Sequence, residues 1–183
     1  MFKQPNVLTP RLILRPFELS DTNKVQKFAG NAHIAMSSAN IPYPYEDGMA
    51  GLWIGSHSAL WQKREAAHFA IVEKSSTQLI GCVSLQNISF SRAQLGYWVA
   101  EAHWNKGYGT EAAKAAINFG FEQFNLDCIY AQHLSKDTRP GKVLEKIGMR
   151  HVSTKRDAVR IEHVSEDVEY YEIERLHHQK MAI

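Results

Sequence analysis

The spacing of apolar and polar residues changes along the chain, and each spacing predicts a different element. Alternation over 11–17 predicts a strand, and the next segment has the spacing of a helix with Ser20 as its N-cap. The two prolines of "NIPYPYED" end any helix before them, and apolar residues at roughly helical spacing over 51–65 predict a second helix. The chain is therefore expected to open with a strand and two helices.

From residue 68 the apolar positions recur at every second residue. This pattern predicts three short strands joined by turn residues, and hence an antiparallel meander. Pro140 suits the first position of a later helix, and Gly148 suits the stop that ends it. These elements together predict an α/β sheet with helices packed on it. The expected strands of the meander are 68–74, 79–89 and 92–100, and the later elements are helix 110–125, strand 127–134, helix 140–148 and strand candidates within 150–161 and 166–176.

Composition limits the number of domains and the classes of partner. With 183 residues, of which 44% are apolar and 22% charged, the chain suits a single domain over 1–183. The net charge of +2 comes from 21 basic and 19 acidic residues without a basic stripe, which argues against a nucleic-acid partner. The pattern shows no leader-like or membrane-spanning apolar stretch, so we expect a soluble cytoplasmic protein with no membrane partner.

The two cysteines do not point to a metal site. Cys82 and Cys128 each fall inside a predicted strand, and neither has a companion at metal-ligand spacing. They are expected to be buried, reduced thiols, and no metal is expected.

A glycine loop, "WNKGYGTEAAK" at 104–114, connects a predicted strand to a predicted helix. Exposed backbone N–H groups and the positive end of the helix dipole make such a loop an anion site, and Gly107 and Gly109 let a phosphate approach the backbone closely. Thr110 is expected to cap the helix, with Glu111 in its first turn. A tight turn without a ligand is an alternative. A nicotinamide site is another, but the dinucleotide fingerprint needs an acid at the end of the next strand, and no carboxylate occurs there before Asp137.

The stretch "LGYWVAEAHWNKGYGTEAAKAAINFGFEQFNLDCIYAQH", the later "KVLEKIGM" and the opening "TPRLILRPFELSD" resemble the GNAT acetyltransferases. The resemblance is to the branch of the ribosomal-protein N-terminal acetyltransferases RimJ and RimL. It implies the GNAT acyl-CoA N-acyltransferase fold, of the α/β (α+β) class, with a mixed, mostly antiparallel sheet. That sheet is splayed in the middle to admit acetyl-CoA and has helices on both faces.

The resemblance also implies where acetyl-CoA binds. The strand edge 97–99 would pair with the pantetheine arm, and amides of 105–110 would bind the pyrophosphate. Lys106, Lys142 and Arg139 would complement the phosphates of the coenzyme. The implied contacts are Tyr97, Trp98, Val99, Trp104, Asn105, Lys106, Gly107, Tyr108, Gly109, Thr110, Asp137 and Lys142.

Family members transfer the acetyl group directly to an amine in a ternary complex. The resemblance assigns stabilisation of the oxyanion to a backbone N–H near Val99. The family's usual positions for the group that protonates the leaving thiolate map onto Asp137, Pro140 and Leu144, none of which supplies a hydroxyl. The sequence therefore departs from the family at the acid.

The base is also absent from its usual position. Relatives often carry Glu where this chain has Gln94, which cannot accept a proton at neutral pH. Asp157 and Glu162 lie in a region that supplies a carboxylate base in some RimL-like enzymes, and they are the candidate catalytic side chains. Glu101 and His103, beside the glycine loop, are alternatives, and a solvated surface role is an alternative for all four.

The lack of an obvious base favours a weakly basic acceptor. Neutralising a lysine-type amine with a pKa of about 10.4 at pH 7 costs about 4 to 5 kcal/mol, but an α-amine costs only about 1 kcal/mol. We therefore expect an enzyme that acetylates the N-terminal α-amine of a protein or peptide. The alternatives are a small-amine acetyltransferase, acting on a polyamine, amino sugar or amino-acid conjugate, and a non-catalytic acyl-CoA-binding protein. The family suggests a homodimer.

Overall fold

The computed structural model describes residues 3–37, 41–161 and 163–181. Two short 3-10 helices, Leu19–Asp21 and Glu101–His103, accompany the main elements. The strands are β1 (Val7–Leu8), β2 (Leu12–Arg15), β3 (Ala67–Glu73), β4 (Leu79–Ser89), β5 (Arg92–Val99), β6 (Cys128–Leu134), β7 (Arg150–Ile161) and β8 (Val164–Glu174). The helices are α1 (Thr22–Ala29), α2 (Ala32–Ser37), α3 (Met49–Gln62), α4 (Tyr108–Gln123), α5 (Arg139–Lys146) and α6 (Arg175–Met181).

The described strands form one sheet in the order β1-β2-β3-β4-β5-β6-β8-β7. The pairs are antiparallel except for β5 and β6, which run parallel. A parallel pair needs a long crossover, and α4 supplies it. The expected mixed, mostly antiparallel sheet is confirmed.

The sheet opens between β5 and β6. These strands pair only where Arg92, Ala93 and Gln94 meet Cys128, Ile129 and Tyr130. Beyond those three pairs β5 stays with β4 as far as Val99, while β6 stays with β8 as far as Leu134. A wedge-shaped cleft therefore separates the two halves of the sheet.

Both faces of the sheet are covered, as the alternation in β3 shows. Phe69 and Ile71 belong to the core beneath α4, whereas Ala70 and Val72 pack with Phe28 of α1 on the other side. The helix α4 can approach closely because its sheet-facing residues are small: Ala112, Ala113 and Ala116 are fully buried. The predicted helices on both faces are therefore observed.

Three predicted helix starts differ from the structure. Asp21, not Ser20, is the N-cap of α1, because a 3-10 turn occupies residues 19–21. Gly107, not Thr110, is the N-cap of α4, so Thr110 lies inside the first turn. Pro140 is the second residue of α5, after Arg139.

Other expectations are confirmed. Gly148 follows α5 with a left-handed φ of 89°, as a helix stop requires. Cys82 and Cys128 are free and buried. In the parts of the chain described here, no helix has the length and apolar character needed to span a bilayer.

Candidate active site

A cavity of about 540 Å³ occupies the cleft between β5 and β6. One wall is formed by β5 and the loop that leads into α4. The other wall is formed by β6 and the first turns of α5. Each wall belongs to a different half of the split sheet, so a ligand in the cavity would contact both halves.

The edge of β5 presents backbone donors to this cavity. The Ala100 N–H donates to the Ile80 carbonyl of the β3–β4 side at 2.8 Å. Successive N–H groups of a strand point to opposite edges, so the N–H groups of Val99 and Tyr97 point into the cleft, where β6 no longer pairs. The Val99 carbonyl, on the same edge, accepts a hydrogen bond from Trp104 Nε1 at 2.6 Å. An extended chain with carbonyl groups could therefore add to this edge as a further strand.

The glycine loop forms the end of the same wall. Asn105 and Gly107 both have left-handed φ values, 60° and 79°, which turn the chain sharply into α4. The N–H groups in the first turn of α4 have no acceptor within the helix. A Cβ on Gly109 would lie 3.3 Å from the Tyr97 ring, so only a small residue lets the loop lie this close to β5. The loop therefore has the geometry of an anion site.

The loop is held by a polar cluster, here called the Arg11 support, in which Thr9 and Arg11 of the turn between β1 and β2 contact Glu111 of α4. Arg11 donates from its backbone N and its Nε to the two carboxylate oxygens of Glu111, at 2.8 and 2.6 Å. Arg11 Nη1 also donates to the Lys106 carbonyl at 2.8 Å, and Thr9 Oγ1 donates to Glu111 at 2.6 Å. Burial opposes ionisation of Glu111, but these hydrogen bonds outweigh it and lower its pKa. Sequence reasoning missed this support because its members lie about a hundred residues apart.

Arg139 connects the two walls at the mouth of the cleft. Its guanidinium donates two hydrogen bonds to Asp137, each 2.8 Å long, and lies 4.6 Å from the centre of the Trp104 ring on the opposite wall. The hydrogen bonds from Arg139 lower the pKa of Asp137. Asp137 is therefore an ion-paired carboxylate.

The structure brings most of the predicted coenzyme residues together. Lys106 is the exception: its side chain does not line the cavity, and its carbonyl is held by Arg11. Lys142 does line the cavity and places a positive charge there, as does Lys146. The predicted residues that line the cavity are Tyr97, Trp98, Val99, Trp104, Asn105, Gly107, Tyr108, Gly109, Thr110, Asp137 and Lys142.

The predicted catalytic side chains are placed differently. Asp157 is exposed on β7, does not line the cavity, and donates its backbone N–H to Asp167 at 2.9 Å. Glu162 lies outside the described residues. Gln94 is buried at the apex of the cleft, and its Oε1 accepts a hydrogen bond from Asn87 at 3.0 Å. The alternative His103 lines the cavity, but Glu101 does not and instead binds Asn31 and His33.

Two polar side chains that sequence reasoning did not single out for chemistry also line the cavity. The Tyr97 hydroxyl and His133 Nε2 are buried, and neither has a hydrogen-bond partner among the described residues. Burial raises the pKa of Tyr97, which keeps its hydroxyl protonated. No cluster of three or more potential metal ligands is found within the described parts of the chain.

Comparison with known proteins places this geometry in a family. Residues 11–150 match the model of the acetyltransferase (GNAT) domain. An uncharacterized N-acetyltransferase, p20 of Bacillus licheniformis, is 27% identical over 151 residues, which are 81% of this chain and 84% of that protein.

Solved structures share the fold. A RimL ribosomal L7/L12 α-N-protein acetyltransferase in complex with coenzyme A superposes with a TM-score of 0.85 at 15% identity, over 93% of this chain and 98% of that one. Mycobacterium smegmatis RimJ with a coenzyme A disulfide gives 0.83 at 18% identity, over 97% and 94%. A chimera of the Vibrio cholerae spermidine N-acetyltransferase SpeG with hSSAT gives 0.80 at 19% identity, over 92% and 98%.

The resemblance to the fold of RimJ and RimL is thus confirmed. The family match covers most of the chain, including both walls of the cleft as far as α5. The chain belongs to the GNAT family of N-acetyltransferases, enzymes that use acetyl-CoA.

Proposed function

We propose that this enzyme transfers the acetyl group of acetyl-CoA to the N-terminal α-amine of a protein or peptide. The observation that carries the proposal is the open edge of β5, which ends in the glycine loop at the start of α4. A coenzyme arm can lie along that edge while its pyrophosphate reaches the loop. The acetyl group then lies deep in the cleft, between the two halves of the sheet.

The coenzyme contacts follow from the two kinds of donor on this wall. The N–H groups of Tyr97 and Val99 bind carbonyl oxygens of the pantetheine arm and of the acetyl group. The amides of 105–110 bind the pyrophosphate, for which the dipole of α4 adds favourable charge. Lys142, on the facing wall, adds a positive charge to the cavity.

The choice of an α-amine rests on the carboxylates of the cavity. Among the described residues that line it, Asp137 is the one carboxylate, and its ion pair with Arg139 weakens it as a base. Deprotonating a lysine-like amine costs about 4 to 5 kcal/mol at pH 7, against about 1 kcal/mol for an α-amine. A site without a free carboxylate therefore suits an acceptor that is already partly neutral. Replacing Glu162 or Asp157 by Ala, and measuring acetyl transfer, tests the separate proposal that one of these carboxylates is the base.

The protein then contributes to the reaction mainly by positioning the two reactants and by stabilising the charge that develops on the carbonyl oxygen. The neutral amine attacks the thioester carbonyl, whose oxygen gains negative charge and is stabilised by a backbone N–H at Val99 or Tyr97. Holding both reactants in the cleft supplies much of the acceleration. No acyl-enzyme intermediate is required.

The test is release of the thiol of coenzyme A from acetyl-CoA, measured across a panel of peptides with free N-termini and of small amines. Calorimetry of coenzyme A binding is run in parallel. We expect release that depends on a peptide with a free α-amine and is absent when that amine is blocked. Release with a polyamine or amino sugar alone would instead assign a small-amine acceptor, and binding without release under any condition would contradict the proposal.

A matched pair of glycine variants tests the loop. Gly107→Val places a β-branched side chain at a left-handed position, where a Cβ also lies 3.3 Å from Arg11 Nη2, so coenzyme binding should be lost. Gly55→Ala is the control, because a Cβ there meets no atom within 4 Å. If Gly107→Val folded and bound coenzyme A like the Gly55→Ala variant, the proposed coenzyme site would be wrong.

A further inference from the structure

The charged side chains of the cavity belong to one of its two walls. Among the described lining residues, the acids, lysines and arginines are Asp137, Arg139, Lys142 and Lys146, and all four follow β6 or lie in α5. In the part of the chain that is described, the facing wall of β5 and the glycine loop adds no acid, lysine or arginine to the lining. A ligand in the cleft therefore meets these charges on the α5 side.

Two of the four charges cancel each other. The Arg139 guanidinium donates two hydrogen bonds of 2.8 Å to Asp137, so this pair adds little net charge to the cavity. Lys142 and Lys146 are exposed, and neither forms an ion pair with a described residue. The two lysines are therefore the uncompensated charges of the cavity.

The geometry of α5 holds these two lysines together. They are four residues apart on the helix Arg139–Lys146, so their side chains are neighbours on one face, where like charges repel. Lys142 also lies near the start of the helix, where the dipole disfavours a cation. An anion bound between the two ammonium groups would relieve both effects.

Coenzyme A brings an anion that the glycine loop does not use. Its ribose carries the pyrophosphate and, separately, a 3′-phosphate, and a phosphate monoester has a charge of about −1.5 to −2 at pH 7. The pyrophosphate is assigned to the start of α4, and α5 packs beside α4 along the same cavity. The flexible stems of the two lysines can therefore reach a phosphate on the ribose next to the loop.

We propose that Lys142 and Lys146 bind the 3′-phosphate of coenzyme A, and that they make the enzyme select this coenzyme over 3′-dephospho-coenzyme A. This inference rests on the proposed acetyl-CoA site and adds a specificity to it. The backbone donors of β5 and the glycine loop cannot supply that specificity, because the arm and the pyrophosphate are the same in both coenzymes.

The first test needs no variant. The affinities of the wild-type enzyme for coenzyme A and for 3′-dephospho-coenzyme A are measured by calorimetry, and we expect coenzyme A to bind about 10-fold more tightly. Equal affinities would overturn the inference and leave the proposed function intact. Binding of neither compound would overturn the coenzyme site itself, and with it the proposed function.

Substitution of the lysines assigns the preference to α5. Lys142→Ala and Lys146→Ala should each weaken coenzyme A binding about 3-fold, as expected for an exposed ion pair, and leave the affinity for 3′-dephospho-coenzyme A unchanged. In the double variant the two affinities should differ by less than about 2-fold. An equal loss of affinity for both compounds would show that the lysines do not recognise the 3′-phosphate.

A matched control separates contact from the general field of a positive charge. Lys114 is an exposed lysine of α4, the neighbouring helix, and does not line the cavity. Lys114→Ala removes the same charge as Lys146→Ala, and we expect it to keep the wild-type preference for coenzyme A. A preference reduced as much by Lys114→Ala as by Lys146→Ala would overturn direct binding by the α5 lysines.

Turnover gives a readout that a loss of folding would not reproduce. With acetyl-3′-dephospho-coenzyme A as donor, the wild-type KM should rise about 10-fold while kcat stays within about 2-fold, because the 3′-phosphate contact is the same before and during acetyl transfer. In the double variant the KM values of the two donors should be equal. A lower kcat at unchanged KM would contradict a role in binding alone.

Discussion

At the residue scale, the glycine loop depends on a side chain outside it. Glu111 lies in the first turn of α4 and accepts hydrogen bonds from Thr9 and from two nitrogens of Arg11. The same arginine holds the Lys106 carbonyl and covers the Tyr108 ring at 4.6 Å. The conformation of the loop is thus fixed by the turn between β1 and β2, far away in sequence.

Replacing Glu111 by Ala should therefore weaken coenzyme binding without touching the coenzyme. Hydrogen bonds to a charged group contribute about 1.5 to 3 kcal/mol, so we expect roughly a 10-fold loss of affinity for coenzyme A by calorimetry. Glu122→Ala is the control, since Glu122 is an exposed acid on the same helix. Equal affinity in the two variants would show that the Arg11 support does not shape the loop.

Gly81 is a second position where adding a single Cβ atom would disturb the cleft. It lies opposite Val99 in the β4–β5 pair. A Cβ there would lie far inside contact distance of the Trp98 carbonyl oxygen and 3.1 Å from the Val99 Cα. These are backbone atoms of the cleft edge, so relief requires a shift of β5 itself.

Gly81→Ala should accordingly lower the free energy of unfolding by about 2 to 4 kcal/mol and displace the edge of β5 that we propose binds the coenzyme. Denaturant unfolding gives the first quantity, and coenzyme affinity the second. Gly55→Ala should instead be neutral or stabilise by up to about 1 kcal/mol, because it adds a helix-favouring methyl in open space. Matching stabilities for the two variants would contradict the close approach at Gly81.

At the element scale, the attachment of α3 to the sheet depends on two stacked histidines. His57 of α3 and His68 of β3 lie 4.1 Å apart with rings nearly parallel, and Trp53 packs against both. Both are over nine-tenths buried. Burial lowers the pKa of His68 to about 4, and burial together with His68 lowers that of His57 to about 3.

These values predict a stability that depends on pH. The unfolded chain binds protons on both histidines below about pH 6.5, but the folded protein does not until pH 4 or lower. The contribution of the stack to folding stability is therefore fully present above pH 6.5 and is lost as the pH falls toward 4. The free energy of unfolding should drop by about 1 to 3 kcal/mol per pH unit between pH 6 and 4. Thermal unfolding across that range checks this, and His57→Phe should reduce the slope. If the unfolding free energy of His57→Phe changed with pH as steeply as that of the wild type, the stacked histidines would not be the cause.

The elements with long, regular patterns were predictable from the sequence. Strands β3, β4, β5 and β6 and helices α3 and α4 lie close to their expected positions, because each is long enough to show the residue spacing of its own element. The short elements β1, α2 and α6 carry too few residues to show a period. Two predicted helix starts were wrong because contacts and backbone conformation that the local sequence does not show decide the N-cap. Arg15 holds the Asp21 carboxylate at the start of α1, and Gly107 adopts the left-handed conformation from which α4 begins.

At the scale of the whole molecule, the central feature is the divergence of β5 from β6. The cavity wall formed by β5 and the glycine loop, which we propose binds the coenzyme, could be predicted because its residues are consecutive in the chain, from 97 to 110. The placement of Tyr97 and His133 on facing walls of the cleft was not predictable, since it depends on a register set by three residue pairs across a helical crossover. The Arg139–Trp104 contact and the Arg11 support depend on the same kind of distant approach. The local sequence therefore predicts the backbone N–H donors on one wall of the cleft, but only the fold shows which side chains lie on the facing wall.

The choice of acceptor is tested with one peptide that carries both a free N-terminal α-amine and a lysine side chain. The peptide is incubated with the enzyme and acetyl-CoA, and the acetyl group is located by fragmentation mass spectrometry. Because Asp137, the one carboxylate among the described residues that line the cavity, is paired with Arg139, we expect acetylation of the α-amine and none of the lysine. Acetylation of the lysine, or of the same peptide with its N-terminus blocked, would contradict it.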